Sequence, residues 1–273
     1  MKDEKAGARD LVLGEQRGGV RILVLNRPDR LNAWTNELET RYFELLEEAD
    51  EDPEVRAIVV TGAGRGFCAG ADMDGLASVS DQDTSATEKM LRELQRPRTF
   101  PLTVRKPLIA AINGATAGIG LVEALYCDLR FATPEAKFTT AFARRGLPAE
   151  YGLSWILPRL VGQSCALDLL LSARIFQGEE ALRLGLVDRL LPRDRVVDGA
   201  VAYATDLAEN CSPASMAIIK AQVFADLDRS FSESVAAADD LIIESFKRPD
   251  VAEGVKAYTE RRAPEFPSLP GRG

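Results

Sequence analysis

Three near-continuous runs of aliphatic and β-branched residues constrain this chain more than any other feature: Val20–Leu25 (VRILVL), Ala57–Val60 (AIVV) and Leu108–Ile112 (LIAAI). Each reads as a strand and is followed within two residues by Asn, Gly or Thr. A strand with no polar face must be covered on both sides. Between the first two runs, Leu38, Tyr42, Leu45, Leu46 and Ala49 repeat at helical spacing and supply one cover. The expectation is an α/β fold built on a mainly parallel sheet.

The rest of the chain organises around that sheet. Residues 77–87 (ASVSDQDTSAT) are small, polar and aperiodic, which predicts a mobile loop leading into a helix through Met90, Leu91 and Leu94. After Lys137 the pattern turns helical. Gly178 to Gly185 predicts a short helix with acids at its start and glycine at its end. Ser212-Pro213 predicts a helix start, and Asp250 a cap for the last helix. From about Asp194 onward only helices are expected, which divides the chain into a core, 1–193, and a helical C-terminal region, 194–273. The tail from Pro264 is expected to be extended or loose.

Composition excludes several classes of function. The 273 residues carry a formal charge of −8, which disfavours sequence-independent nucleic-acid binding. No apolar run is long enough for a membrane span, and the charged start MKDEKAGARD has no signal-peptide core. There is no His, which removes Cys/His zinc sites and every nucleophile–His arrangement, so no metal is expected. Cys68, Cys127, Cys165 and Cys211 are widely spaced and read as reduced thiols of a cytoplasmic protein.

Two glycine-bearing strand ends carry the chemistry. Ala57 to Met73 (AIVVTGAGRGFCAGADM) runs from a strand through a Gly-rich turn. Its Gly62-x-Gly64-x-Gly66 spacing puts the third glycine too early for a dinucleotide fingerprint. Leu108 to Asp128 (LIAAINGATAGIGLVEALYCD) runs from a strand into an apolar helix that opens at Gly118-Ile119-Gly120. Free N–H groups at two neighbouring strand ends can be aimed at one oxygen, as an oxyanion requires. Close helix–sheet packing favours glycine at the same places.

These segments, with Leu25-Asn26-Arg27-Pro28, Leu31-Asn32-Ala33, Gly66 to Asp72, Asn113 to Asp128, Ala136-Lys137-Phe138 and Leu157 to Gly162, resemble the enoyl-CoA hydratase/isomerase (crotonase) family. The resemblance spans roughly residues 10–266. It implies a crotonase-like spiral of ββα units with a helical C-terminal region that packs in a homotrimer or dimer of trimers. It also implies an acyl-CoA substrate and no cofactor beyond its coenzyme A moiety. Carried onto this sequence, the oxyanion N–H groups fall on Ala71 and Ile119. Arg30, Leu31, Ala33, Ala69, Asp72, Met73 and Gly118 fall along the coenzyme A and acyl path. Arg27 and Arg30 are either phosphate contacts or solvated charges, and Lys256, Arg261 and Arg262 are candidates for a neighbouring subunit's site.

The sequence departs from a hydratase at both glutamates. The first is expected at position 122 and the second at 142; here they are Val122 and Phe142, which are left as acyl-pocket positions. Glu123 follows directly, but one helical step turns a side chain by about 100°. Glu123 is expected instead in a hydrogen-bonded or intersubunit ion pair. Glu150, in Leu147-Pro148-Ala149-Glu150-Tyr151-Gly152, matches a position where other branches of the family carry a functional carboxylate. It is the candidate acid/base, against the plainer reading of an acid at a helix start. Tyr151 orients water or substrate, or simply walls the pocket.

The expectation is therefore a lyase or isomerase acting on an enolised thioester, with Glu150 moving the proton. A thioester or carbon–carbon hydrolase would release free CoA or a shortened acyl group. A non-catalytic acyl-CoA binder would bind without turnover.

Overall fold

A computed structural model describes residues 10–72 and 96–272. The expected loop at 77–87, the helix through Met90, and Met73 lie outside the described residues. Among the described residues, ten strands form two sheets. The larger contains β1 (Val12–Arg17), β2 (Val20–Leu25), β3 (Ala57–Gly62), β5 (Leu108–Ile112), β7 (Leu129–Ala132) and β10 (Arg189–Leu190), in the order β1-β2-β3-β5-β7-β10. All neighbours pair in parallel except the β1–β2 hairpin. The smaller sheet is β4 (Gly66–Cys68), β6 (Ala115–Ala117), β8 (Lys137–Thr139) and β9 (Phe176–Gln177), in the order β4-β6-β8-β9.

The three apolar runs are the central strands, and alternation explains why they are continuous. On β3 and β5, Ile58, Val60, Leu108, Ala110 and Ile112 enter the main core beside helix α1 (Asn36–Glu51). Ala57, Val59, Ile109 and Ala111 enter a second core against Val196, Ala200 and Ala204 of α6 (Val196–Asn210). Both faces are dry, as the parallel arrangement requires. Each of β3, β5 and β7 continues within a few residues into a strand of the smaller sheet. Helix α2 (Ile119–Tyr126) follows the β5–β6 pair. This is the crotonase-like spiral.

The region after Lys137 is not purely helical. It begins with β8 and includes β9 and β10, besides helices α3 (Leu153–Val161), α4 (Gln163–Ser172) and α5 (Gly178–Arg183). Strands of two or three residues span too few positions to show a period. Beyond α6 lie α7 (Pro213–Asp226), α8 (Phe231–Ser245) and α9 (Pro249–Glu260). Ser212 caps α7, accepting from the Ser215 N–H at 3.1 Å, as its sequence predicts. Asp250 does not cap α9. Its buried carboxylate accepts from the Ser212 hydroxyl and joins the starts of two helices.

The tail is extended but not loose. Arg56 donates to the Phe266 carbonyl at 2.8 Å and Arg105 to that of Pro270 at 2.7 Å. The Arg272 N–H donates to Glu51 at 2.8 Å. Arg105 is itself clamped by buried Asp50, whose carboxylate accepts from its N–H and its Nε, each at 2.8 Å. Deleting residues 264–273 leaves two part-buried guanidinium groups short of acceptors. The expected result is a melting temperature lower by about 5 °C. An unchanged melting curve contradicts it. No helix among the described residues is long and apolar enough to cross a membrane.

Candidate active site

The site grows from the contact between the glycine turns that end two neighbouring strands of the smaller sheet. Gly70 leaves β4 at φ +95°, and Gly118 leaves β6 at φ +52°. A Cβ on Gly70 would lie 2.9 Å from the Ala117 carbonyl oxygen, so the two backbones meet at van der Waals distance only because Gly70 has none. The next residue in each strand end is therefore brought beside the other. These are Ala71 and Ile119.

Each presents an unused N–H. Ala71 pairs with Trp34 as an isolated parallel bridge: Trp34 N–H donates to Gly70 at 2.8 Å and Asp72 N–H to Trp34 at 2.9 Å. That pairing turns the intervening Ala71 N–H away. Ile119 is the first residue of α2, where a backbone N–H has no intrahelical acceptor. Neither N–H donates to a described residue. The Ile119 side chain turns into the main core.

The other expected binding positions surround the end of β4. Leu31 adopts a left-handed conformation (φ +50°), and its carbonyl accepts from the Ala69 N–H at 3.0 Å. Ala33 accepts from Arg27 Nη1 at 2.5 Å, and Arg27 Nη2 pairs with Asp72 at 2.8 Å. Arg27 thus spans the turn internally, part-buried rather than a fully solvated charge. Arg30 ends the short turn Pro28–Arg30 and is exposed. Arg262, expected to reach a neighbouring site, is held within the chain by Glu253 at 2.6 Å. Asn32, which the sequence reading passed over, holds this region together. It is fully buried, accepts from the Arg27 N–H and donates to the carbonyls of Ala63 and Gly66.

Val122 and Phe142 are both buried in the main core, where the residue types leave only apolar surface. Phe142 is tied to the Gly118 turn through the end of β8: Gly118 N–H donates to Thr139 at 3.1 Å, and Phe142 N–H to Thr140 at 2.8 Å.

Glu150 and Tyr151 sit in the turn before α3. Its N-cap is Gly152, and Tyr151 and Gly152 are both left-handed (φ +55° and +70°). Glu150 lies two residues before the cap, at the start of the helix but ahead of its first turn. Tyr126, on the last turn of α2, donates to the Tyr151 carbonyl at 2.5 Å. Side chains on a helix tilt toward its N-terminus. The Glu150–Tyr151 turn is therefore drawn alongside α2 rather than beyond its end. The Glu150 carboxylate accepts no hydrogen bond from a described residue and is half-buried. Burial pushes its pKa up and Arg98 pulls it down.

Glu123 departs from expectation. It is 3% exposed, and its Oε2 has no hydrogen-bond partner among the described residues. Burial pushes its pKa well above the ordinary 4.5, with Glu39 adding to the shift and Arg98 opposing it. Below about pH 4.5 both folded and unfolded chains hold this proton. As pH rises above that value only the folded chain does, so folding weakens. Glu123→Gln is expected to gain melting temperature over the wild type as pH goes from 4 to 8. A difference independent of pH counts against a protonated Glu123.

Comparison with known proteins places this architecture. The model of the Enoyl-CoA hydratase/isomerase family matches residues 15–268. A probable enoyl-CoA hydratase, echA12, of Mycobacterium bovis is 35% identical over 264 residues, 94% of this chain and 92% of that protein. The 1,2-epoxyphenylacetyl-CoA isomerase of Escherichia coli is 30% identical over 262 residues, 94% of this chain and 98% of its own. The crystal structure of an enoyl-CoA hydratase, EchA12_1, from Mycobacterium marinum covers 81% of this chain and all of that one, with 49% identity and a TM-score of 0.68. The chain belongs to the enoyl-CoA hydratase/isomerase family.

Proposed function

We propose that this protein is an acyl-CoA isomerase that shifts a double bond beside an enolised thioester, with Glu150 as the acid/base. What supports the proposal is two N–H groups, Ala71 and Ile119, with no acceptor among the described residues, a half-buried Glu150 carboxylate, and apolar side chains at positions 122 and 142. In this reading the thioester oxygen sits between the two N–H groups. Glu150 takes a proton from the carbon next to the double bond. The electron pair released moves through the conjugated system onto the thioester oxygen, where the two N–H groups stabilise the negative charge. The pair then returns, and Glu150 gives a proton, exchangeable with solvent while it is held, to a carbon two positions away. No other group gains or loses a proton, so one carboxylate suffices.

Hydration needs a second group to hold and activate water. Val122 and Phe142 stand where the family resemblance puts those groups, and neither accepts or donates a proton. Glu123 is buried, and that burial raises its pKa, so it does not supply the second group in this reading. That one relative is named an isomerase supports the same choice.

The test is mass spectrometry of a panel of enoyl-CoA thioesters incubated with the protein in deuterated water. A shifted double bond with deuterium at carbon supports isomerisation. Addition of a whole water establishes hydration instead. Release of free CoA establishes a hydrolase, and binding without turnover a non-catalytic protein. The exposed Phe231, Ile242, Ile243 and Phe246 on and just after α8 suit a buried subunit contact. They support a trimer or dimer of trimers, which sedimentation equilibrium would read directly.

A further inference from the structure

Between the two halves of this site lies a line of side chains that the mechanism has not used. Trp34 bridges Ala71 through its backbone, and its indole N–H donates to Glu39 Oε2 at 3.0 Å. The other carboxylate oxygen of Glu39 lies 3.8 Å from Arg98 Nε. Arg98 lies over the Tyr151 ring, 5.0 Å from its centroid, and donates through Nη1 to the Tyr151 hydroxyl. Glu150 is the next residue. The Arg98 and Glu39 side chains are 19% and 7% exposed, so the charges face each other with little water between them.

We infer that Trp34, Glu39, Arg98 and Tyr151 form a positioning relay that holds the Ala71 N–H and the Glu150 carboxylate in one frame, with Arg98 as its electrostatic centre. The inference rests on the reading of Glu150 as the acid/base. None of the four is placed on reacting atoms; they act through Ala71 and Glu150.

The charges around Glu150 single out Arg98. From α2 come Glu123, whose pKa burial raises, and Tyr126; from α1 comes Glu39; from its own turn comes Tyr151, whose hydroxyl burial pushes up to about 12. None of these adds a positive charge. Arg98 is the group that opposes the burial of Glu150 and favours its ionised, proton-accepting form. A buried Nε with no hydrogen-bond partner is tolerated on Arg98, which fits a guanidinium kept for its charge and stacking.

The test follows the Glu150 carboxyl itself, by 13C resonance in protein labelled with [δ-13C]glutamate and assigned with Glu150→Gln. Arg98→Met is expected to move the Glu150 titration midpoint to higher pH, whereas Arg98→Lys, which keeps the charge, stays close to wild type. With a 3-enoyl-CoA substrate, the loss of kcat/KM in Arg98→Met is expected to be at least about threefold larger at pH 6 than at pH 9. Tyr151→Phe removes the acceptor of Nη1 and keeps the ring. It is expected to lower kcat by about tenfold with KM within about twofold. If Arg98→Met does not fold, Tyr151→Phe and Arg98→Lys still decide. Wild-type kcat in the first, or a midpoint raised in the second, overturns the relay. A folded Arg98→Met with an unmoved midpoint does the same. Full activity of Glu150→Gln overturns the role of Glu150 instead, and leaves the titration result standing by itself.

Discussion

Glu150→Gln is expected to turn over an enoyl-CoA substrate about 100-fold more slowly than the wild type, with little change in KM. Gln keeps the length and shape of the side chain but cannot take a proton. The carboxylate accepts no hydrogen bond from the described residues, so the change breaks no structural contact. The variant is expected to gain stability relative to the wild type as pH rises. The folded pKa is raised by burial, so the wild type loses stability as pH rises from the unfolded carboxylate's value through the folded one, and Gln does not. Single-turnover rates and thermal melts at pH 5 and pH 8 separate the two effects. Undiminished turnover would remove Glu150 from the mechanism.

Gly118→Ala is expected to cost a similar factor in kcat for a different reason. Gly118 has φ +52° and ψ −123°, a conformation that side chains with a Cβ rarely adopt. Space is not the obstacle, since the nearest atoms to an added Cβ are Gly70 Cα at 3.9 Å and Thr140 O at 4.0 Å. The strain is roughly 1–3 kcal/mol, and the chain relieves it by rotating the peptide that carries the Ile119 N–H. Misdirecting one oxyanion donor costs about 10²-fold in kcat, while acyl-CoA affinity changes little. Gly120→Ala is the control. There a Cβ would meet the Cys68 carbonyl oxygen at 2.3 Å, so the variant is expected to lose stability before it loses catalysis. Equal kcat for Gly118→Ala and wild type would mean that the Ile119 N–H does not hold the oxygen.

Expected and observed structure part where local pattern ends. The strands Val20–Leu25 and Leu108–Ile112 and helix α1 follow from periodicity because each has enough residues to repeat. So does the start of α7, because Ser212-Pro213 encodes a cap in two residues. The smaller sheet does not, since β4, β6 and β8 are three residues each and are defined by partners distant in sequence. Asp250 has the residue type of a cap, yet its partner is Ser212, 38 positions away. The tail has no period at all. It is pinned by Arg56, which also donates to the Ala208 carbonyl, and by Arg105, which Asp50 clamps.

By itself the sequence determined the parallel α/β core, the helical C-terminal region and the two glycine-bearing strand ends. Its resemblance to the family pointed further, to Ala71 and Ile119, to the positions where Val122 and Phe142 stand, and to Glu150. These are local matters: apolar continuity, helical period, and which residue type stands at a given place. Only the tertiary structure decided that Gly70 and Gly118 touch, and that Glu123 is sealed inside without a partner. It alone drew Arg98 across the fold to Tyr151 and Glu39. Arg98 sits in Arg96-Pro97-Arg98-Thr99, where nothing distinguishes it from a solvated surface charge. Its importance comes from burial and from neighbours 53 and 59 residues away, and the free energy of a charge depends on what surrounds it in space.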